Sequence, residues 1–340
     1  TAHFGKWHIN GGGPEENGYD VSDGNLGNEA APRYKDPNPV DIFGMGERAV
    51  AFMAKCQKAK KPFFIQMSYL ALHAPENARK ATIEKYEKLG SVRRERGATR
   101  AALSDDLDDG VGQLVRKIDE MGLGKNTYVI YMSDNGAGGR RGVNDVIAGG
   151  KGTIWEGGIR VPLIVRGPGV QAGSWCHEQV VGFDLFTTFC ALAGVKKELP
   201  KGVEGGDLRP LFAGKSGPVK RPVENLVFHF PHYQGMGGPQ SAIYEGNYKL
   251  VRLYEQDQPK LFDIKKDLAE RNDLTAQHPE LAKRLDAKLA AYLKEVGAGL
   301  PRTNENYDSS VKVEPQRGRR GPGRPGGGEG RPGGRRRMER

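Results

Sequence analysis

The sequence contains no apolar run long enough to cross a membrane as a helix. That takes roughly 18 uninterrupted residues, and stretches such as Phe63–Leu72 are strand-sized and interrupted by polar side chains. Cysteine is scarce as well. The three in 340 residues, Cys56, Cys176 and Cys190, form no C-x-x-C pair, which excludes the paired-thiol zinc and redox motifs. Cys56 and Cys190 sit in apolar patterns and read as buried thiols, whereas Cys176, between Trp175 and His177, reads as a loop residue. Basic charge is less widespread than its total suggests. Nine Arg against two Glu between Pro315 and Arg340 supply +7 of the net +10, leaving +3 for everything before them. A near-neutral body lacks the electrostatic footprint of a nucleic-acid binder. A leader pattern and an initiator Met are also missing. The chain opens on Thr1-Ala2-His3-Phe4-Gly5-Lys6, inside what reads as a strand and its exit, and the expectation is a piece of a longer protein.

What is present is an alternation of helical and strand periods. Glu47–Lys58 has apolar residues at 49, 50, 52, 53 and 56, and Ala101–Met121 at 103, 107, 111, 114, 115 and 118. Both follow the helical period. Phe63–Leu72, Thr127–Met132 and Val161–Val165 read as strands, the first and last of them buried, and a helix runs from Asp184 to about Ala193 before Gly194. This order predicts an α/β fold, a mostly parallel central sheet with helices on both faces. After Gly214 the pattern changes. Leu226–His229, Ser241–Tyr244, Tyr248–Tyr254 and Lys260–Asp263 read as a short antiparallel meander. A helix follows from Pro279 to Gly297 with Leu281, Leu285, Leu289 and Leu293 on one stripe. The expected division is an α/β domain over 1–214, an α+β subdomain over 215–297, and a linker with a Gly/Arg/Pro-rich basic tail over 298–340. The tail has too few apolar residues to offset its chain entropy and is expected to be disordered.

Four motifs carry candidate chemistry. In Gly5-Lys6-Trp7-His8 an extended backbone would place Lys6 and His8 on one face, an ammonium and an imidazole turned toward an anion. The same residues also read as a surface Lys beside an unrelated His. His73-Ala74-Pro75 follows the Phe63–Leu72 strand and puts a titratable ring at its end. Ser133-Asp134-Asn135-Gly136 closes the Thr127–Met132 strand, at the edge where open α/β sheets place ligands. Its acid and amide oxygens suit a hard cation such as Ca²⁺, and equally an Asx turn. Lys151, flanked by glycines in Gly149-Gly150-Lys151-Gly152, can approach an oxyanion closely. Beyond it, Glu156 and Arg160 read as a structural ion pair.

In order and spacing these motifs resemble the type I sulfatases, formylglycine-dependent, arylsulfatase-like members of the alkaline-phosphatase-like superfamily. Gly5-Lys6-Trp7-His8 resembles the family's second signature, and Ser133-Asp134-Asn135-Gly136 its metal-binding strand end. Lys151 through Pro162 resembles its K-G-x-x-x-E-G-G-x-R-V-P block. Tyr248-Lys249-Leu250, Leu261-Phe262-Asp263 and the Asp267 to Leu274 segment resemble its C-terminal subdomain. The resemblance covers roughly 1–297 and implies sulfate-ester hydrolysis on aryl or carbohydrate substrates with one Ca²⁺. Residue by residue, it implies Asp134 and Asn135 as metal ligands. Lys6 and His8 would orient the nucleophile, a formylglycine hydrate made from Cys or Ser. His73 and Lys151 would bind the sulfate oxygens and assist leaving-group protonation. His232, in Phe228-His229-Phe230-Pro231-His232-Tyr233, is the candidate substrate-facing residue, with ordinary strand-end packing as its other reading. The implied partner is a sulfated small molecule or glycan, and family habit implies a periplasmic or secreted location.

One part of the pattern is missing. No Cys or Ser in the chain is followed by x-Pro-Ser-Arg, the family's formylglycine motif, and its N-terminal Asp-Asp pair has no counterpart. Both are expected upstream of residue 1, together with the first strand of the sheet. The chain alone is then expected to be inactive and poorly stable. Two alternatives stay open here: a phosphodiesterase or phosphonate monoester hydrolase of the same superfamily, and a non-catalytic binding protein on this scaffold. Nucleic-acid binding would rest on the tail alone.

Overall fold

A computed structural model describes residues 1–90, 97–137, 146–233, 237–256 and 258–306. The basic tail from Pro315 lies outside the described residues. Two compact units emerge, one of 1–131 and 163–220, the other of 132–162 and the described residues from 221 on.

In the first unit β1 (Ala2–Gly5) is the centre of a three-stranded parallel sheet, flanked by β2 (Val21–Ser22) and β3 (Ile65–Ser68). Parallel strands need crossover connections, and α1 (Ile42–Lys58) lies in the one that leads from β2 to β3, which pair with β1 on opposite sides. Ile42, Met45, Ala49 and Met53 form its buried stripe; Met45 and Ala49 pack on Ala2 and Phe4 of β1. Then α2 (Lys80–Leu89) and α3 (Gly97–Glu120) lead to β4 (Val129–Met132), which pairs with β5 (Leu163–Arg166). On α3, Ala102, Leu103 and Leu107 join Ile42, Val40 and Leu70 in the main core of this unit. The segment after β5 carries α5 (Asp184–Leu192) and the one-turn α6 (Arg209–Phe212); the one-turn α4 (Glu156–Ile159) precedes β5 and belongs to the second unit.

The second unit is built on a four-stranded antiparallel meander: β6 (Leu226–Phe230), β7 (Gln240–Glu245), β8 (Tyr248–Leu253) and β9 (Lys260–Asp263). One face is covered by α7 (Pro279–Glu295), whose Ala282, Leu285, Leu289 and Leu293 meet Ile243, Leu250 and Leu261. Pro279 sits in the first turn, where its missing N–H is no loss.

The sequence reading needs four corrections. The strand expected over Phe63–Leu72 shrinks to Ile65–Ser68 and is half-buried, because the chain turns away after Ser68. The strand expected to be buried over Val161–Val165 is Leu163–Arg166 with alternating exposure, Ile164 facing solvent. Cys56 and Cys190 are half-buried rather than buried, and all three cysteines are free thiols. Helix α2 has no counterpart in the sequence reading.

Candidate active site

In the first unit the end of β1 presents two of the expected residues, Lys6 and His8. Gly5 has φ of +93°, and a Cβ there would lie 2.2 Å from the Ser68 carbonyl oxygen. Only glycine lets the strand leave the sheet at this point. The backbone N–H of Gly5 donates to Asp23 Oδ2 at 2.8 Å, and that carboxylate also accepts from Arg48, which reaches on to Asp41. The Lys6 N–H donates to the Ser68 carbonyl, and the Trp7 N–H to the Leu26 carbonyl. Trp7 packs edge-on against His3 and Tyr19 and donates its indole N–H to the Gly12 carbonyl. His8 then has φ of +42°, in the left-handed region, so Lys6 and His8 do not share a face by strand alternation. Lys6 is half-buried and His8 exposed. The Glu29 carboxyl is held below its usual range, first by its own backbone N–H and that of Gly27, and in lesser part by His8.

His73 lies five residues beyond β3, in a turn rather than at the strand terminus. The reason is the shortened strand: its N–H donates to the Leu70 carbonyl and closes the turn. Its Nδ1 is 2.6 Å from the Ala74 carbonyl and its Nε2 is 3.2 Å from Asn28 Nδ2. A carbonyl can only accept, so Nδ1 carries the proton and Nε2 accepts from the Asn28 amide. Asn28 Oδ1 is buried with no protein partner. A half-turn of that amide would offer Oδ1 to a protonated Nε2, so Asn28 can accompany His73 through either protonation state. Sequence reasoning missed Asn28, whose only signal is its place in a Gly/Asn-rich loop.

In the second unit Asp134 and Asn135 stand just past β4, exposed and half-buried respectively, in a turn where Ser133 Oγ donates to the Asn135 carbonyl. This turn is sewn to the glycine-rich segment that carries Lys151. The Gly136 N–H donates to the Gly158 carbonyl at 2.9 Å, the Lys151 N–H to the Ala137 carbonyl at 2.9 Å, and the Gly157 N–H to the Ala148 carbonyl at 2.7 Å. A Cβ on Gly136 would lie 1.9 Å from the Gly157 carbonyl oxygen, so the two strands of backbone approach only because side chains are absent. Lys151 is exposed at the tip. The structure thus bonds the backbone of the turn that follows Asp134 and Asn135 to the segment that carries Lys151. His232 is exposed beyond β6, its ring edge-on to Phe230.

Glu156 and Arg160 do form the expected ion pair, at 2.6 Å, but Glu156 belongs to a larger cluster. Lys249 of β8 has no exposed surface. Its Nζ donates to Glu270 Oε1 at 2.7 Å, Glu156 Oε1 at 3.1 Å and the Ile154 carbonyl at 2.8 Å. Tyr244 donates its hydroxyl to Glu156 Oε1. Burial pushes Glu156 up, yet Lys249, Tyr244 and Arg160 outweigh it and leave the carboxyl below its usual range. Burial raises Glu270, with Lys249 opposing.

The donor set also answers what ion could sit here. Asp134 and Asn135 offer a carboxylate and an amide oxygen, which fit Ca²⁺ as part of a shell of six to eight. Among the described residues no group of three or more His, Cys, Asp or Glu is arranged to hold a metal.

Comparison with known proteins bears on the same residues. A family model described as Sulfatase matches residues 1–195, and one described as N-sulphoglucosamine sulphohydrolase, C-terminal, matches 150–296. A curated sulfatase of Formosa agariphila is 30% identical over 273 residues, covering 73% of this chain and 49% of the relative. Human arylsulfatase A is 30% identical over 269 residues, covering 70% and 50%. The crystal structure of Ps i-CgsB superposes with a TM-score of 0.71 at 26% identity over 86% of this chain and 71% of that one, and the same protein has been solved with k-i-k-neocarrahexaose. The chain spans about half the length of the curated relatives it matches.

Proposed function

The chain belongs to the sulfatase family, and from that membership we propose that the whole protein hydrolyses sulfate esters of carbohydrate or aryl substrates. The observation that supports the reading is the backbone-stitched block that carries Asp134, Asn135 and Lys151 in the segments after β4, within the stretch 1–195 that a family model matches. A sulfated glycan is the favoured substrate class, supported by a 26%-identical protein crystallised in complex with k-i-k-neocarrahexaose. The domain scheme, 1–214 catalytic and 215–297 accessory, is retained as part of this proposal. So is a periplasmic or secreted location; no helix among the described residues is long and apolar enough to cross a membrane.

Sulfuryl transfer places negative charge on the peripheral and leaving oxygens, so the site must present positive charge and a proton. Lys151 does the first from a tip whose glycine neighbours leave an oxyanion room. His73 is assigned the second. Lys6 and His8 are assigned to the nucleophile, and His232 to the leaving group's side. Asp134 and Asn135 would hold Ca²⁺, which when bound adds Lewis-acid charge on the sulfate oxygens. The formylglycine and the remaining metal carboxylates are assigned to sequence preceding Thr1.

The test has two parts. Sequencing the coding region upstream of Thr1 should reveal C/S-x-P-S-R. The polypeptide carrying that motif should then release sulfate from 4-nitrophenyl sulfate well above its rate on 4-nitrophenyl phosphate esters. An intact reading frame without the motif, or turnover of the phosphate esters alone, would overturn the reading.

A further inference from the structure

Lys249 is a cation without solvent, lying between two buried carboxylates. Removing such groups from water is costly, and replacing buried ion pairs by apolar side chains is often neutral or better for stability. A cluster like this needs a reason beyond holding the unit together. Its hydrogen bonds supply one, because they end on the backbone of a single segment. Lys249 Nζ donates to the Ile154 carbonyl, Glu270 Oε2 accepts the Glu156 N–H at 2.7 Å, and Gln240 Oε1 accepts the Ile154 N–H at 3.1 Å. Trp155 between them packs edge-on against Phe262 of β9. Residues 154–156 are therefore gripped by the meander at successive positions. Two and three residues upstream of Ile154 are Gly152 and Lys151, and the same segment bonds back to Gly136 and Ala137 beside Asn135.

We propose that Lys249, Glu156 and Glu270 are positioning residues: a buried charge lock through which the antiparallel meander fixes the register of residues 148–158, and with it Lys151 and the Asp134–Asn135 turn. Charge suits this task because register matters. A one-residue slip of an apolar contact finds other apolar surface, whereas a slip here strands the Glu156 carboxylate in the interior and takes the Ile154 carbonyl and the Glu156 N–H away from Lys249 and Glu270. The set with Arg160 is neutral overall, two cations against two anions. That these groups serve sulfate-ester hydrolysis rests on the proposed function; the lock itself rests on the geometry alone.

Hydrogen exchange on the 340-residue chain separates the two. Glu270→Ala removes acceptors for both Lys249 and the Glu156 N–H, Glu270→Gln keeps an oxygen for the latter, and Tyr244→Phe removes one hydroxyl at small cost to folding. Asp286→Ala, which breaks the Arg252–Asp286 pair between β8 and α7, is the control for a destabilised meander. With the lock, amides of 136–137 and 146–158 exchange about tenfold faster or more in Glu270→Ala, less in Glu270→Gln and Tyr244→Phe, while β7 and β8 keep their protection. The control leaves 146–158 protected relative to the strands. A uniform loss across the unit that tracks the fall in Tm, matching Asp286→Ala, overturns the proposal, and so does no change. Should Glu270→Ala fail to fold, Tyr244→Phe decides by the same criteria. In the form that turns over 4-nitrophenyl sulfate, Tyr244→Phe should lower kcat/KM at an unchanged Tm. If no form turns it over, the sulfatase reading fails and the exchange result still judges the lock.

Discussion

Gly5 shows how one residue sets the geometry of the β1 exit. Its positive φ and its contact with the Ser68 carbonyl leave no room for a methyl group. Gly5→Ala should destabilise the chain by about 2 kcal/mol or more, since an L side chain there meets both left-handed strain and backbone overlap. Urea unfolding of the two proteins checks this, and equal midpoints would mean that the exit relaxes freely. His3, two residues earlier, carries a different kind of constraint. It is fully buried, bonded through Nε2 to Ser68 Oγ, with Nδ1 unpartnered. Burial lowers its pKa below the ordinary 6.5, against the pull of Asp23 and Glu15. Below pH 6.5 the unfolded chain therefore binds a proton that the folded chain resists, and stability falls as pH drops from that value toward the lower folded one. His3→Gln removes this titration. Its urea midpoint should fall less between pH 7.5 and pH 5.5, chosen to bracket the ordinary histidine value, than that of the unchanged chain. Parallel pH profiles would contradict the assignment.

Helix α7 and the strand it packs on are the clearest case at the scale of elements. Leu285 and Leu289 are buried against Ile243, Leu250 and Leu261. Leu285→Ala should cost about 2–5 kcal/mol by lost transfer energy and cavity formation, read from the denaturant midpoint at constant m. The same helix is tied to β7 by charge: Glu245 accepts from Arg284 and Lys288. Arg284 first, then Lys288, brings the Glu245 carboxyl down to about 2. That tie is present above the ordinary value of 4.5 and is lost as pH falls through about 2. Its partial exposure keeps the worth of the tie small. The leucine stripe of α7 is legible in sequence because a 3.6-residue period survives any tertiary context, although Ala282 rather than Leu281 takes the buried place in the first turn. Helix α2 is not legible, since Lys80–Leu89 has only Ile83, Tyr86 and Leu89 as large apolar residues and its helicity comes from packing on α3. The His73 turn is hidden for a similar reason: a hydrophobic run does not say where a strand stops. Nor is the buried state of Lys249 legible. Its acidic partners lie 21 and 93 residues away, and only the folded chain brings them together. The Asp134 turn and the Lys151 loop, by contrast, are visible as motifs, because glycine spacing and strand ends are local properties.

Taken as a whole, the chain holds charge, proton and metal-ligand candidates divided between its two units: Lys6, His8 and His73 in one, Asp134, Asn135 and Lys151 in the other. None of the three cysteines has the x-Pro-Ser-Arg context of the proposed formylglycine nucleophile, and no serine does. A single carboxylate and one amide past β4 would also leave Ca²⁺ far from its usual oxygen count. Two outcomes follow for these 340 residues produced alone. Turnover of 4-nitrophenyl sulfate should not exceed the buffer rate, because the groups proposed to stabilise transferred sulfate would have no nucleophile to accept it. Calcium should bind no more tightly than about 10⁻³ M, the weak end of the protein range, where ligand charge is low. Isothermal titration with CaCl₂ checks the second, with Asp134→Asn as the comparison, and sulfate release checks the first. Micromolar calcium binding abolished by Asp134→Asn would mean that the turn recruits further oxygens from within the chain. Measurable turnover would mean that some residue here serves as nucleophile without the family's modification.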